Sequence, residues 1–167
     1  MALPNKVLPG FTAALYAQPT ASPSALTLTQ LSTLANVSAI AVSGNLVPVE
    51  AVPAFGQDDA VASFTVAGSR QSDKIPAQSA PTSMTITAAW NPGDGVLLLI
   101  RGDAYSGTVD RTYVIAASDG ATSPNIVYYA FNARASQFQV DAAPGAEAKC
   151  TFTLHPRGNL YGWSNNT

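Results

Sequence analysis

The sequence predicts a mainly β protein, a β-sandwich or partly closed barrel with one flanking α-helix at about residues 93–105 and long loops. Three observations predict it. From residue 83 onward apolar and polar residues alternate with period two, as they do in strands with one buried face. Turn formers, Asn91-Pro92-Gly93-Asp94, Asp119-Gly120 and Pro144-Gly145, break the alternation at intervals. Only Val96 to Tyr105 repeats its apolar residues at helical spacing, with Val96, Leu99, Ile100 and Ala104 on one side.

In chain order, Phe11 to Tyr16, Leu26 to Thr29, Val37 to Ser43 and Val61 to Ala67 read as short strands, and Gln30 to Ala35 as a helical turn. Gln18 to Ser24, Gly44 to Asp59 and Ala67 to Pro81 are rich in Pro, Gly, Ser and Ala and read as loops. Loops beyond about 12 to 15 residues are mostly functional or disordered. Met84, Ile86, Ala88 and Trp90 then fall on one side of a strand, with Ser83, Thr85, Thr87 and Ala89 on the other. Asn91 suits an N-cap, Pro92 the first helical position, and Asp94 the positive end of the helix dipole. Arg111 to Ser118 and Ile126 to Arg134 form a hairpin with a long tip around Asp119-Gly120. Lys149 to His155 is the last strand, with Cys150, Phe152 and Leu154 inward, and Pro156 is expected to end it. The whole, residues 1–167, reads as one domain with an N-terminal arm at about 1–10 and a C-terminal arm at about 156–167.

Charge is scarce. Lys, Arg, Asp and Glu make up 11% of the 167 residues, against about 25% in an ordinary soluble domain. Lys6 is the single charge before residue 50. That third of the chain is too uncharged for an ordinary solvated surface. A net charge of −2 with scattered Lys and Arg gives no phosphate-neutralising footprint, which excludes an ordinary nucleic-acid reader. An apolar content of 47% excludes intrinsic disorder. The longest run of large aliphatics, Val96 to Ile100, is far short of the ~18 residues of a spanning helix, so no membrane insertion is expected. Pro9 and Gly10 stand where a signal peptide has its apolar stretch, which argues against secretion through that route. One cysteine and one histidine exclude an internal disulfide and a zinc cluster, and no cofactor is implied.

Catalytic constellations are sparse. His155 lies on the polar side of a strand with no nucleophile elbow, and reads as a surface or interface histidine. Cys150 alternates with Phe152 and Leu154 and reads as a small buried hydrophobe. Asp58-Asp59, Asp94, Asp103, Asp110 and Asp119 occupy turns or element ends, where Asp caps backbone. Gly93-Asp94-Gly95 lacks the lysine of a phosphate loop. Arg101-Gly102-Asp103 spells an adhesion tripeptide, but at the end of a helix expected to pack on the sheet. Tyr161 and Trp163 either fold over the sheet edge or dock on another subunit.

The run Gly68-Ser69-Arg70-Gln71-Ser72-Asp73-Lys74-Ile75-Pro76, the strand Ser83 to Trp90 and the helix opened by Asn91-Pro92-Gly93-Asp94 come in a familiar order. The hairpin with Asp119-Gly120, the strand with Tyr128, Tyr129 and Phe131, the Pro144-Gly145 turn and Thr151-Phe152-Thr153-Leu154 follow. Over residues 60–155 this order resembles the major tail tube proteins of long-tailed bacteriophages, of siphophage type. The resemblance implies a non-enzymatic structural protein of the virion tail, present in the host cytoplasm during assembly. Its copies would form six-membered rings whose inner sheets join edge to edge, and the stacked rings would make the hollow tube that conducts the phage DNA. Partners so implied are further copies, the tape measure, the tail terminator, distal tail proteins, and double-stranded DNA in non-specific passage.

On that resemblance the inter-ring loops are Gly44 to Asp59, with Gly44, Pro48, Glu50, Pro53, Phe55, Asp58 and Asp59, and Ala67 to Pro81, with Arg70, Asp73, Lys74, Ile75 and Pro76. Arm contacts are Leu3, Pro4, Tyr161 and Trp163. Thr85, Thr87, Thr151 and Thr153 form a neutral, wettable face suited to the lumen, and Lys149 and Arg134 are expected to be paired or at the rim. Two rival readings are another virion protein, a tail terminator or capsid decoration subunit, and a carbohydrate-binding β-sandwich using Tyr105, Tyr128, Tyr161 or Trp163.

Overall fold

The computed structural model describes residues 12–19, 26–31, 33–65, 72–118, 125–142 and 146–165. Its strands are β1 (Thr12–Ala17), β2 (Leu46–Val47), β3 (Gln57–Thr65), β4 (Ser72–Pro81), β5 (Met84–Ala89), β6 (Asp110–Ser118), β7 (Ile126–Asp141) and β8 (Lys149–Asn165). The helices are α1 (Leu28–Leu31), α2 (Leu34–Ile40) and α3 (Gly95–Ser106), with a 3-10 turn at Ser43–Asn45. Six strands make one antiparallel sheet in the order β2-β1-β6-β7-β8-β5, and β3 with β4 makes a separate ribbon.

The sheet curls until its edges meet. Beyond β2 the chain crosses to the far edge, where Val49 bridges Ala88 and Glu50 N donates to Thr87 O at 3.0 Å. Ala89 N donates to Pro48 O at 2.9 Å, so residues 48–50 form the seam of a half-barrel. The expected loop from Gly44 to Asp59 is thereby corrected. Val47 is fully buried, and Val49, Val52 and Phe55, in the segment that holds Pro48 and Pro53, pack on the core; the prolines' missing N–H groups hide this extended segment from a propensity reading. The expected loop from Ala67 to Pro81 is likewise mostly β4, paired with β3 from Gln57↔Pro81 to Thr65↔Ser72.

Inside the curl the alternating residues interlock as the sequence predicts. Met84, Ile86, Ala88, Cys150, Phe152 and Leu154 meet Tyr113, Ile115, Phe131 and Ala133 in one core, and α3 adds Leu97 and Ile100. The helix starts later than predicted. Asp94 is its N-cap, its Oδ1 accepting from Val96 N at 2.9 Å, while Asn91 caps only a turn by accepting from Gly93 N at 2.9 Å. Gly107 ends α3 in the left-handed region, at φ 64°, and its N–H donates to Asp103 O.

Two expectations fail on the other face of the sheet. Leu26 to Thr29 and Val37 to Ser43 are not strands; α1 and α2 lie there, and Leu31, Val37 and Ile40 bury Val114 and Ala130. A second helical region therefore joins the single one expected. The local reason is a capping box: Gln30 N donates to Thr27 Oγ1 and Thr27 N donates to Gln30 Oε1, at 3.4 and 2.9 Å. Asn45 Nδ2 then donates to Ile40 O at 2.9 Å, closing α2 from the 3-10 turn.

The β6–β7 hairpin forms as predicted, in register from Asp110↔Arg134 to Ser118↔Ile126. Pro156 does not end the last strand. It pairs with Ala133 inside β8, which runs on to Asn165 opposite Ile126. Strand β5 leaves β8 at Leu154, so Pro156 needs no ladder donor on that side. A register shift then takes up the next residues around Gly158, at φ 80°.

Candidate assembly surface

From residue 155 to 165, β8 is bonded to β7 on one edge, and among the described residues no strand continues the sheet on the other. An unpaired edge about ten residues long is a template for another chain. The ribbon of β3 and β4, about 30 Å long at the usual rise per residue, runs close to β8 without joining its ladder. A two-stranded ribbon alone in water is marginally stable. Asp58 and Asp59 of the predicted inter-ring loops stand opposite Ala80 and Ser79 in this ribbon, and Asp73, Lys74, Ile75 and Pro76 opposite Phe64, Ser63, Ala62 and Val61. Gly44 is exposed, in the 3-10 turn whose Asn45 is buried. Pro48 and Glu50 belong to the seam, and the Phe55 ring meets Tyr129 edge-on at 5.0 Å. Pro53 is half-buried beside them. Leu3, Pro4 and Arg70 lie outside the described residues. Trp163 stands opposite Tyr128 in β8, and Tyr161 packs against the α1–α2 cluster of its own protomer.

The four threonines come together. Thr85 stands opposite Thr153 and Thr87 opposite Thr151, so all share one face of β5 and β8. Thr153 is buried on that face: it lies 3.4 Å from Thr85 Oγ1 and donates to Gln137 Oε1 at 3.2 Å. Gln137 sits at φ 54° beside the register shift between Ser136 and Gln139, a bulge that turns its side chain toward this row. His155 continues the row with Ser83 Oγ at 3.0 Å from Nδ1 and Ser136 Oγ at 2.8 Å from Nε2. It is exposed, with no carboxylate among these partners to orient it as a base.

The expectation that Lys149 and Arg134 are paired holds. Lys149 meets Glu50 across the seam, and that carboxylate holds the ammonium above its ordinary pKa. Arg134 Nε donates to Asp110 Oδ1 at 2.9 Å, and Arg157 Nη1 to Asp110 Oδ2 at 2.8 Å.

A buried clamp fixes α3 to the sheet. Arg111, 4% exposed, donates through Nε and Nη2 to the two oxygens of Asp103, the latter at 3.0 Å, and through Nη1 to Gln18 O at 3.0 Å. Burial by itself lowers the guanidinium's pKa; the hydrogen bond and charge of Asp103 outweigh it, and the net direction is up. The adhesion-like tripeptide is thereby spent inside the protomer. Nothing in the sequence marks this pair except an Asp and an Arg eight residues apart across a Gly-ended helix, and that spacing is common. Cys150 is buried as expected, and burial raises its thiol.

Beside the clamp is a cavity of about 290 Å³ between the end of β1, the 3-10 turn and the first turn of α3. Its walls are mainly apolar, with Pro19, Val96, Leu98 and Leu99, and Gln18 forms part of them. Among the described residues, Gln18 Oε1 and the Tyr113 hydroxyl are the buried side-chain atoms without a hydrogen-bond partner. The sequence reading missed this cavity, because its walls come from three separate segments. No exposed aromatic platform of the kind a glycan needs forms among the described residues: Tyr128 and Tyr161 pack inward, and Tyr105 stands alone.

No protein-family model matches the chain, and no curated protein matches it in sequence. Solved structures do. A chain of the anti-feeding prophage (AFP) baseplate is similar with a TM-score of 0.63 at 12% identity, covering 98% of this chain and 97% of that one. A chain of the PVC sheath/tube terminator of an extracellular contractile injection system, in its extended state, gives 0.62 at 14%, covering 97% and 98%. The SPP1 tail tube gives 0.53 at 13%, covering 93% of this chain and 77% of that one. At these identities the likeness is one of fold, a tail tube and tube-terminator fold.

Proposed function

We propose that this chain is a structural subunit of a viral tail that assembles with its own copies into hexameric rings, and that the rings stack into the hollow tube of a siphophage-type tail. The observation that carries the reading is the edge of β8 beyond Leu154, which no strand among the described residues pairs. A curled sheet with such an edge is completed when a neighbour's strand continues it, and a ring of copies leaves no edge open. The β3–β4 ribbon supports the same reading, since a two-stranded ribbon outside the main sheet is stabilised when an adjacent subunit packs on it. In this arrangement residues 1–167 act as one unit, the ribbon and the segment from Gly44 to Phe55 contact the adjacent ring, the N-terminal arm reaches a neighbour, and the C-terminal segment, paired with β7 in its own protomer, offers its open edge to one. The row of Thr85, Thr87, Thr151 and Thr153 faces the channel; Thr153 is buried against Gln137, and the other three present hydroxyls that neither hold nor repel a passing duplex. Tape measure, terminator and distal tail proteins would meet the two ends of the tube. No enzymatic role is assigned.

A second reading, a ring that ends a tube instead of extending it, draws on the fuller mutual coverage with a chain of the PVC sheath/tube terminator structure than with the SPP1 tail tube. Negative-stain micrographs of the purified protein separate the two. Tubes of indefinite length with a central channel support the first reading, and single rings at every concentration support the second. A strictly monomeric species in sedimentation at high concentration overturns both.

A further inference from the structure

The cavity at the first turn of α3 has an apolar wall, a neutral surround and a polar atom without a partner. Gln18 is 3% exposed, its backbone is held at both N and O by β6, and its Oε1 bonds to nothing. A buried acceptor is normally satisfied by protein, ordered water or a ligand donor. The last torsion of a Gln side chain is soft, so a donor entering the cavity reaches that oxygen by a turn of the carboxamide. A space of about 290 Å³ is far above the ~15 Å³ that one water needs and accepts an aromatic ring.

The lining residues are uncharged, and the neighbouring charges, Asp94 and the Arg111–Asp103 pair, are engaged by their own protomer. Residues 12–49 and 95–100 contain no charged side chain, and Val42 and Leu46, on either side of the 3-10 turn, are exposed. Charge depletion with exposed aliphatics is the composition of an interface core. The same helix carries the complementary feature. Tyr105, 73% exposed, is the aromatic ring most open to solvent among the exposed large hydrophobics, and its hydroxyl can donate. At about 100° per residue and 1.5 Å rise, Tyr105 lies roughly 100° round α3 from the midpoint of the cavity-lining residues and about 12 Å further along it. Knob and hole thus face different ways on one molecule. A contact joining them is head-to-tail, the kind that propagates into rings or stacks.

We infer that this cavity is a docking site for Tyr105 of a second copy of the chain, with the ring against Pro19, Val96, Leu98 and Leu99 and the hydroxyl donating to Gln18 Oε1. The inference rests on the self-assembly proposed above. A buried aromatic anchor in a desolvated pocket carries much of an interface's affinity. Tyr105→Ala therefore weakens self-association at least about tenfold, and Tyr105→Phe, which keeps the ring, about threefold to tenfold. With Gln18→Leu in place, Tyr105→Phe has no further effect, because the two changes remove one bond.

The closing experiment mixes two single-site variants, Gly44→Cys carrying an affinity tag and Tyr105→Cys without one, under mild oxidation, and measures assembly of Tyr105→Ala by sedimentation and electron microscopy. A covalent dimer of tagged and untagged chains, together with weakened assembly of a Tyr105→Ala protein whose melting is unchanged, is the expected result. Assemblies that form normally with Tyr105→Ala and give no mixed dimer overturn the docking site and leave the ring reading standing. A wild-type chain that stays monomeric overturns both.

Discussion

Asp103→Ala tests whether the buried clamp holds α3 to the barrel. The substitution leaves the Arg111 guanidinium, 4% exposed, with a single backbone carbonyl, Gln18 O, in place of a carboxylate gripped at two points. Breaking a buried ion pair from one side costs about 3–5 kcal/mol, because the surviving charge is stranded out of water. In a chain of this length each kcal/mol moves the midpoint by about 2–4 °C. Thermal unfolding followed by circular dichroism at low protein concentration should therefore show a fall of roughly 6–20 °C. The companion variant, Asp103→Leu with Arg111→Met, removes both charges and keeps an apolar filling. Its residual cost is the donor lost from Gln18 O, about 1 kcal/mol, so it should melt well above the single variant. A single variant within 1 kcal/mol of wild type, or a double variant as unstable as the single one, refutes the reasoning that the carboxylate neutralises a desolvated cation there.

Tyr113→Phe should leave stability at neutral pH unchanged or raise it, because the buried hydroxyl has no partner and its removal relieves a desolvation cost of about 1–3 kcal/mol; a melting point lowered by several degrees counts against this. Burial, helped by the Asp103 charge and opposed by Arg111, holds the Tyr113 phenol above its ordinary 10.0, and burial raises the Cys150 thiol above 9.0. The folded chain thus keeps protons that the unfolded chain releases, so stability is full below those ordinary values and falls as pH rises through the alkaline range. Melting points between pH 8 and 11 should show that fall, with a shallower slope in Tyr113→Phe. Excising residues 62–75 and joining Val61 to Pro76 by an Asn-Gly turn should leave a protomer that melts within a few degrees of wild type and forms no tubes in the microscope; tubes of normal length would remove the ribbon from the inter-ring contact. Gly107→Ala places a Cβ at φ 64° and should cost about 1 kcal/mol, read as a shift of about 2–4 °C in melting.

Strands were legible where one face is buried and the other polar, as in β5 and the first half of β8, since period-two alternation is then written in the residues. Strand β6 shows the limit. Both its faces are buried, Tyr113 and Ile115 by the barrel core and Val114 by α2, so alternation identifies the strand and says nothing of the second layer. The helices on that layer are too short for a helical period to emerge, and their capping box at Thr27 and Gln30 was the one local signal. Proline misled twice in the same way. Pro48 reads as part of a loop and Pro156 as a strand end, yet each lies where the ladder asks nothing of its nitrogen: Pro48 offers its carbonyl to Ala89, and Pro156 follows the point where β5 departs. The threonine row could be assembled from sequence because strand faces are local. The cavity could not, because Gln18, Asn45 and Leu98 meet only through the barrel's closure.

The scarcity of charge acquires a structural meaning from where the charges go. Of the eight Lys and Arg, Lys6 and Arg70 lie outside the described residues, and Lys74 belongs to the ribbon. Arg111 is bound to Asp103, Arg134 and Arg157 to Asp110, and Lys149 to Glu50, while Arg101 lies over the Trp90 ring with its carbon 6.0 Å from the centroid. Each of these five cations is held by its own protomer. Phosphate affinity grows with the number of cations free to displace counterions, and here the engaged ones stitch seam, hairpin and helix. On the face of Thr85, Thr87 and Thr151 the one strand cation, Lys149, is thus engaged by Glu50, and residues 12–49 have no charge to desolvate when covered. In the assembly proposed above, charges engaged in holding the half-barrel together would leave one face with its cation neutralised toward a polyanion and let another be buried against a copy at little electrostatic cost.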